Sequence, residues 1–390
     1  MELRDRVVVV TGGTAGVGHA AASAFARRGA RVVVLSRDPA RVRAAAREID
    51  GAEGRVVDVS DFEAVDQAAT DIENSIGPID VWVNNAMTTV FGRFMDMTPA
   101  DFAKVTANTY LGTVNGTYAA LKRMRMRDRG AIVQVGSALA FQSIPLQSAY
   151  CGAKHGIRGF TNALRCELLA ERSNVSLSMV HLSAFNTPQF EWARSRLAAE
   201  PRPLGTIYDP AVAADAIVRA ARRPRREFWV GWPAVKTIWA SRLVPAFAER
   251  LAAKIAISGQ MIEDEPASPR AGNLYAPVPR EPGAEGRFSD EEQHHSVQWT
   301  LDKYRGVLLG AALLVVGLRA FPKARRSCVR ILKSGTAAAS VGAKAVPRIA
   351  AKSLELLSPD SGAPRAAPAR DGARYAPSTA RSAPGTRTRR

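Results

Sequence analysis

The sequence predicts an α/β protein built on a doubly wound parallel sheet, with its chemistry at the carboxyl edge of the strands. Three observations predict it. Between Arg6 and about Val180, short β-branched apolar runs alternate with longer amphipathic stretches rich in alanine and arginine. A glycine-rich turn separates the first run from the first long stretch. Hydrophobic residues make up 46% of the 390 and charged residues 23%, the balance of a globular chain with a sizeable core rather than of a multi-span membrane protein.

The runs are Val7 to Val10, Arg31 to Leu35, Arg55 to Val57, Val81 to Val83, Ala131 to Val135 and Val175 to Val180. Continuous apolar strands are covered on both faces, and strand, helix, strand repetition at this spacing gives parallel strands with right-handed crossovers. One Rossmann-like domain over residues 1–230 is the expectation. Within it, residues 185 to 205 hold Pro188, Pro201 and Pro203 around a helical patch, which reads as a loop and short helix forming a lid over the sheet edge. Asp209 to Ala221 has helical periodicity behind an Asp-Pro start, and Glu227 to Val230 suits a last strand.

Residues 231–304 read as an extension, partly helical and partly irregular. Trp232 to Ile257 is expected to be helical, and 262 to 297, rich in proline, glycine and charge, irregular. Residues 305–321 carry a short apolar segment, Gly306 to Leu318, which falls short of the roughly 20 residues that cross a bilayer core. The remainder, 322–390, is a basic low-complexity tail of Ala, Pro, Ser and Arg, expected to be largely disordered.

The net charge of +18 is not spread over the fold. Basic and acidic residues number 21 and 18 over 1–190, 16 and 15 over 191–304, and 17 and 3 over 305–390. The sheet region is thus close to neutral, and a tail without aromatic interleaving gives no reason to expect nucleic acid. The three cysteines, Cys151, Cys166 and Cys328, have no C-x-x-C spacing, so neither a disulfide framework nor a zinc site is indicated. The five histidines are scattered without ligand spacing, and no metal is expected. Met1 to Arg6 runs straight into the first strand, so a signal peptide is not expected and the cytoplasm is the expected compartment.

The first strand ends in Thr11-Gly12-Gly13-Thr14-Ala15-Gly16-Val17-Gly18, and an alanine-rich helix opens at once. Glycines there allow a tight turn and let backbone approach a pyrophosphate resting on a helix N-terminus, which points to a dinucleotide held by Gly12, Thr14, Ala15, Gly16, Val17 and Gly18. Ser36 and Arg37 close the second strand. An arginine at that place pairs with a 2'-phosphate, so Arg37 favours NADP(H) over NAD(H); the competing reading has Asp38 accept a ribose hydroxyl. Asp58 and Val59, after the third strand, are placed to meet the adenine or to be a plain turn.

Tyr150-Cys151-Gly152-Ala153-Lys154 puts a phenol and an ammonium one helical turn apart on one face. A free phenol, with a pKa of about 10, is a poor base at neutral pH, and a neighbouring lysine charge stabilises its ionised form. Ser137, just past the strand Ala131 to Gly136, can hydrogen-bond a reacting oxygen, and Asn108 offers an amide to hold a water between Lys154 and solvent. Singly, each of these residues is commonplace.

Together, the T-G-x-x-x-G-x-G turn, Asn84-Asn85-Ala86 after the fourth strand, Asn108, Ser137, and Tyr150 with Lys154 stand in the order and spacing of the short-chain dehydrogenase/reductase family, which this chain resembles over about residues 5 to 230. The resemblance implies a nicotinamide-dependent oxidoreductase acting on a small molecule, CH-OH to carbonyl, and a homo-oligomer. It implies that Tyr150 gives and takes the proton and that Lys154 also binds the nicotinamide ribose. Ser137 orients the substrate with Tyr150, Asn108 anchors a proton relay, and Asn85, Ala86 and Thr187 contact the cofactor. Two departures are Met87, where the family has Gly after Asn-Asn-Ala, and Ser183-Ala184, where it has Pro-Gly.

Phe185, Phe190, Trp192, Met87 and Phe141 suggest an apolar substrate pocket. A bilayer-crossing Gly306 to Leu318, followed by Arg319, Lys323, Arg325, Arg326 and Arg330, would leave the catalytic domain on the wrong side for NADPH. The expectation is a shallow insertion beside an anionic surface on the inner face of the membrane, with a buried helix of the extension as the competing reading. A non-catalytic NADP-binding sensor or scaffold acting through its basic tail is the alternative from another functional class.

Overall fold

The computed structural model describes residues 1–281, 283–307 and 310, so most of the apolar segment and all of the basic tail lie outside the described residues. Seven parallel strands make the central sheet: β1 (Val7–Thr11), β2 (Arg31–Ser36), β3 (Glu53–Val56), β4 (Ile79–Asn84), β5 (Gly130–Ser137), β6 (Val175–Leu182) and β7 (Glu227–Val230). Their spatial order is β7-β6-β5-β4-β1-β2-β3, so the order reverses beside β1 and a crevice opens there at the carboxyl ends.

Alternation along β1 shows why the sheet sits where it does. Val8 and Val10 join one apolar cluster with α1 (Gly16–Ala26) and, later in the chain, residues 210–222; Val7 and Val9 join a second with α3 (Phe62–Ser75) on the opposite face, the shorter α2 (Pro39–Glu48) lying between them in sequence. Each fully buried valine contributes on the order of 1.5–3 kcal/mol. Helix α4 (Pro99–Val105) runs into a six-residue π-turn, Thr106–Leu111, before α5 (Gly112–Met126). Single π-turns of this kind re-aim side chains at functional sites, and this one carries Asn108 inward. Helix α6 (Ser148–Ala170) follows β5 and presents Tyr150 and Lys154 in its first two turns.

Beyond β6 come the short helix Gln189–Trp192 and then α7 (Pro210–Arg222). The expected helix Trp232 to Ile257 is two helices, α8 (Trp232–Leu243) and α9 (Pro245–Ile255), because Pro245 lacks the amide a continuous helix needs and instead starts the second one. The region expected to be irregular from 262 begins as a strand, Met261–Pro266, paired antiparallel with Ala199–Pro201 of the lid. Its charged sequence has no apolar alternation to announce a strand. Helix α10 (Val297–Lys303) returns to the sheet, where Trp299 packs on Phe228.

Candidate active site

The glycine turn is shaped by the absence of side chains. Gly12 and Gly16 have φ of 64° and 53°, in the region that favours glycine. A Cβ on Gly18 would stand 2.2 Å from the Gly12 carbonyl oxygen and 2.4 Å from Asn85 Nδ2. Asn85 clamps the turn by donating to the carbonyls of Thr11 and Gly12 at 3.1 and 3.2 Å, while Thr11 Oγ1 accepts from the amides of Asn85 and Ala86. No side chain caps α1 and no acidic residue stands in its first turn, whereas Asp38, Asp61 and Asp209 cap α2, α3 and α7. Apart from the Gly16 amide, which donates to the Gly283 carbonyl, the α1 N-terminus keeps its positive end for an anion.

Gly12, Thr14, Ala15, Gly16, Val17, Ser36, Arg37, Asp58, Val59, Asn85, Ala86 and Thr187 line one cleft of about 490 Å³, and Asn108, Ser137, Tyr150 and Lys154 line the same cleft. Gly18 does not line it. Its part is to let α1 approach the turn. Phe185, Phe190, Trp192 and Met87 also line the cleft, but Phe141 turns away from it, edge-on to His181 at 4.7 Å.

Asp38 is spent on structure. Its carboxylate accepts from the amides of Ala40 and Arg41 and from Arg41 Nε at 2.8 Å. Burial works against its charge, but these bonds outweigh burial and hold the carboxyl below its ordinary range. Asp38 has no place on the cleft wall, so the reading in which it takes a ribose hydroxyl loses its support. Arg37 does face the cleft, and Arg41, which the sequence did not single out, lies buried beside it under the Trp192 ring.

At the other end, Tyr150 and Ser137 both line the cleft, and Lys154 Nζ sits 5.5 Å from the Tyr150 ring centre while donating to the Val135 carbonyl at 2.7 Å. The expected lowering of the phenol pKa by Lys154 is not what this arrangement gives. Burial pushes Tyr150 well above its ordinary value, against a smaller opposing influence of Ser137, and burial pushes Lys154 down to about 8. The phenol is thus kept protonated at neutral pH. Asn108, buried on the π-turn, donates from Nδ2 to Thr88 Oγ1 at 3.2 Å and to the Leu274 carbonyl at 3.3 Å, and its Oδ1 has no partner among the described residues.

A pH dependence follows from Lys154. Because kcat/KM reports the free protein, any turnover that depends on the Lys154 ammonium is expected to hold level through neutral pH and fall above about 8 as that ammonium is lost, the limb moving to higher pH in Lys154→Arg. Stability runs the other way: between about 8 and the ordinary 10.5 the unfolded chain binds more protons at this lysine than the folded one, so its contribution to stability rises with pH across that window. A rate profile level to pH 10 would contradict the assignment.

His181 is a site residue that nothing in its sequence position announces. It is fully buried beneath Ser137, whose carbonyl can only accept, so Nδ1 carries the proton and donates at 3.2 Å. Burial lowers its pKa to about 4 and keeps the ring neutral. His294, by contrast, pairs with Asp209 at 3.2 Å and lies 3.7 Å from Glu292, an ion-paired group at the surface.

The extension closes over this cleft as a strap. The Gly16 amide donates to the Gly283 carbonyl at 2.8 Å, Arg37 donates to the carbonyls of Asn273 and Leu274, and Leu274 buries its side chain among Val90, Met97, Val105 and Ala149. Tyr275 donates to Asp101, and the Gly286 and Phe288 amides donate to Asn186.

Comparison with known proteins agrees with this geometry. A family model described as short chain dehydrogenase matches residues 6–197. The chain is 33% identical over 275 residues to the uncharacterized oxidoreductase YxnA of Bacillus subtilis, covering 69% of this chain and 77% of that protein. It is 34% identical over 237 residues to the probable oxidoreductase EphD of Mycobacterium tuberculosis, covering 57% of this chain but only 40% of EphD. Among solved structures, a short-chain dehydrogenase from Streptomyces avermitilis superposes with a TM-score of 0.53 at 25% identity, covering 66% of this chain and 99% of that one. A metagenomic short-chain oxidoreductase in complex with NADP superposes with a TM-score of 0.50 at 27% identity, covering 59% and 98%.

Proposed function

We propose that this chain, which belongs to the short-chain dehydrogenase/reductase family and is an oxidoreductase of that type, uses NADP(H) in preference to NAD(H) to interconvert a carbonyl and an alcohol on an apolar small molecule. The carrying observation is that Tyr150, Lys154, Ser137 and Asn108 face the cleft whose other end is the glycine turn. A turn that a single Cβ would fill, an uncapped helix N-terminus and Arg37 suit a dinucleotide phosphate. The NADP complex of a structural relative supports the same preference.

When bound, the nicotinamide supplies or takes up the hydride. In the reducing direction Ser137 and Tyr150 would hold the carbonyl oxygen, and the raised pKa of the phenol keeps on Tyr150 the proton that this oxygen receives as the carbon is reduced. Lys154 would place its charge beside the resulting phenolate, and Asn108 Oδ1, a buried acceptor, would hold the water that returns the proton. A homo-oligomeric state, the cytoplasm, and attachment to an anionic membrane face through the apolar run and basic tail belong to the same proposal. No helix among the described residues is long and apolar enough to cross a membrane.

The test is NADPH and NADH oxidation by the purified chain over a carbonyl panel. Arg37→Ala is expected to raise KM for NADPH on the order of 10- to 100-fold, the loss of a charge-assisted phosphate contact, and to leave NADH nearly unchanged. Equal losses with both cofactors would remove the NADP preference. Dinucleotide binding without turnover of any carbonyl or alcohol would favour the sensor instead.

A further inference from the structure

The hairpin of α8 and α9 turns apolar side chains to the outside. On α8, Trp232, Trp239 and Leu243 recur at seven- and four-residue steps; on α9, Phe247, Leu251 and Ile255 recur every four, so each helix carries one apolar stripe. All six are exposed, as is Val244 at the bend, with Trp239 48% and Leu243 70% accessible. Phe247, Leu251 and Ile255 are also wall residues of the cleft that Tyr150 lines, so the α9 stripe is shared between the outer surface and that cleft.

The hairpin carries four cations, Lys236, Arg242, Arg250 and Lys254, against one acid, Glu249. Arg242 also reaches toward Glu227 at 4.0 Å, while Lys236, Arg250 and Lys254 stand exposed. Large apolar side chains held in water beside a basic rim fit a surface that is apolar within and anionic at its border, which is a lipid bilayer. A second copy of the chain seated on this face would instead cover the cleft mouth that the stripe leads into.

We propose that the α8–α9 hairpin docks on an anionic lipid bilayer and that the substrate is a lipophilic ketone or alcohol that enters the cleft from the bilayer along Phe247, Leu251 and Ile255. This rests on the oxidoreductase reading of the Tyr150 site and adds where its substrate comes from. It is independent of the residues beyond 310.

The experiment uses the full chain and vesicles of phosphatidylcholine with one quarter phosphatidylglycerol. Wild type is expected to co-sediment with them, and less with phosphatidylcholine alone. Leu243→Asp with Val244→Asp, at positions away from the cleft wall, is expected to cut vesicle binding about tenfold or more. Its thermal melt, NADPH binding and turnover of a small water-soluble ketone should stay at wild-type values, while reduction of a long-chain methyl ketone carried in the vesicles falls by about tenfold or more. Vesicle binding undiminished in the double variant overturns the docking surface and assigns attachment to the tail. A change of oligomeric state with vesicle binding unchanged also overturns it, in favour of a second copy. Vesicle binding through the hairpin with no turnover of either ketone overturns the hydride-transfer reading and the substrate class with it, whereas turnover of the soluble ketone without vesicle binding overturns the docking alone.

Discussion

Tyr150→Phe is expected to lower NADPH-linked turnover by about 10²- to 10⁴-fold, the range that a positioned proton donor contributes, and to leave NADPH binding within about a factor of two to three. The substitution removes one oxygen and keeps the ring that lines the cleft. The neighbouring polar groups have other tasks: Ser137 keeps its hydroxyl for a hydrogen bond to the reacting oxygen, Lys154 donates to the Val135 carbonyl, and the neutral His181 ring lies beneath Ser137. Steady-state turnover and calorimetric binding on the same preparation check the two halves together. Undiminished turnover would end the enzyme mechanism argued from this phenol.

Gly18→Ala is expected to weaken NADPH binding by about tenfold or more and to lower the melting temperature, although Gly18 has no wall on the cleft. The added methyl would lie 2.2 Å from a backbone oxygen and 2.4 Å from the Asn85 amide nitrogen that clamps the turn, so either α1 or the turn must move. Overpacking of this kind costs about 1–3 kcal/mol, and the displaced part is the dinucleotide's seat. Gly152→Ala is the matched control: it stands in a helix, two residues from Tyr150, with nothing within 4 Å of its would-be Cβ. Alanine is favoured over glycine in a helix by roughly 0.5–1 kcal/mol. Equal losses from both substitutions would mean that helix composition, rather than the close approach at the turn, decides the effect.

How much of this was legible in the sequence depended on whether side chains or backbone carried the signal. The inner strands were legible because β-branched residues run unbroken where both faces are covered, as in Val7 to Val10, whereas the edge strand expected at Arg55 to Val57 is Glu53–Val56, half exposed and without such a run. That Asn108, Ser137, Tyr150 and Lys154 share one cleft was legible because each is a particular side chain at a fixed distance along the chain. The place of Arg37 on the cleft wall was legible from its position at the strand end, but the loss of Asp38 to helix capping was not, since Asp-Pro-Ala-Arg is equally a ribose acceptor or a cap until the carboxylate's direction is known. His181 was illegible because a single histidine inside an apolar strand has no spacing partner. The strap was illegible for a deeper reason. Its bonds to the site are made by the carbonyls of Asn273, Leu274 and Gly283, and every residue type has that carbonyl.

Those carbonyls tie the nucleotide's berth to a part of the polypeptide made long after it. Arg37 and Leu274 meet across 237 positions, and closing so long a loop costs little more than closing one half its length, because the entropy grows only with the logarithm. During synthesis, Asn108, Ser137, Tyr150 and Lys154 have all been made well before the roof exists. A nascent chain therefore owns these four side chains with an open berth, which is roofed only when residues 273–283 fold back over it.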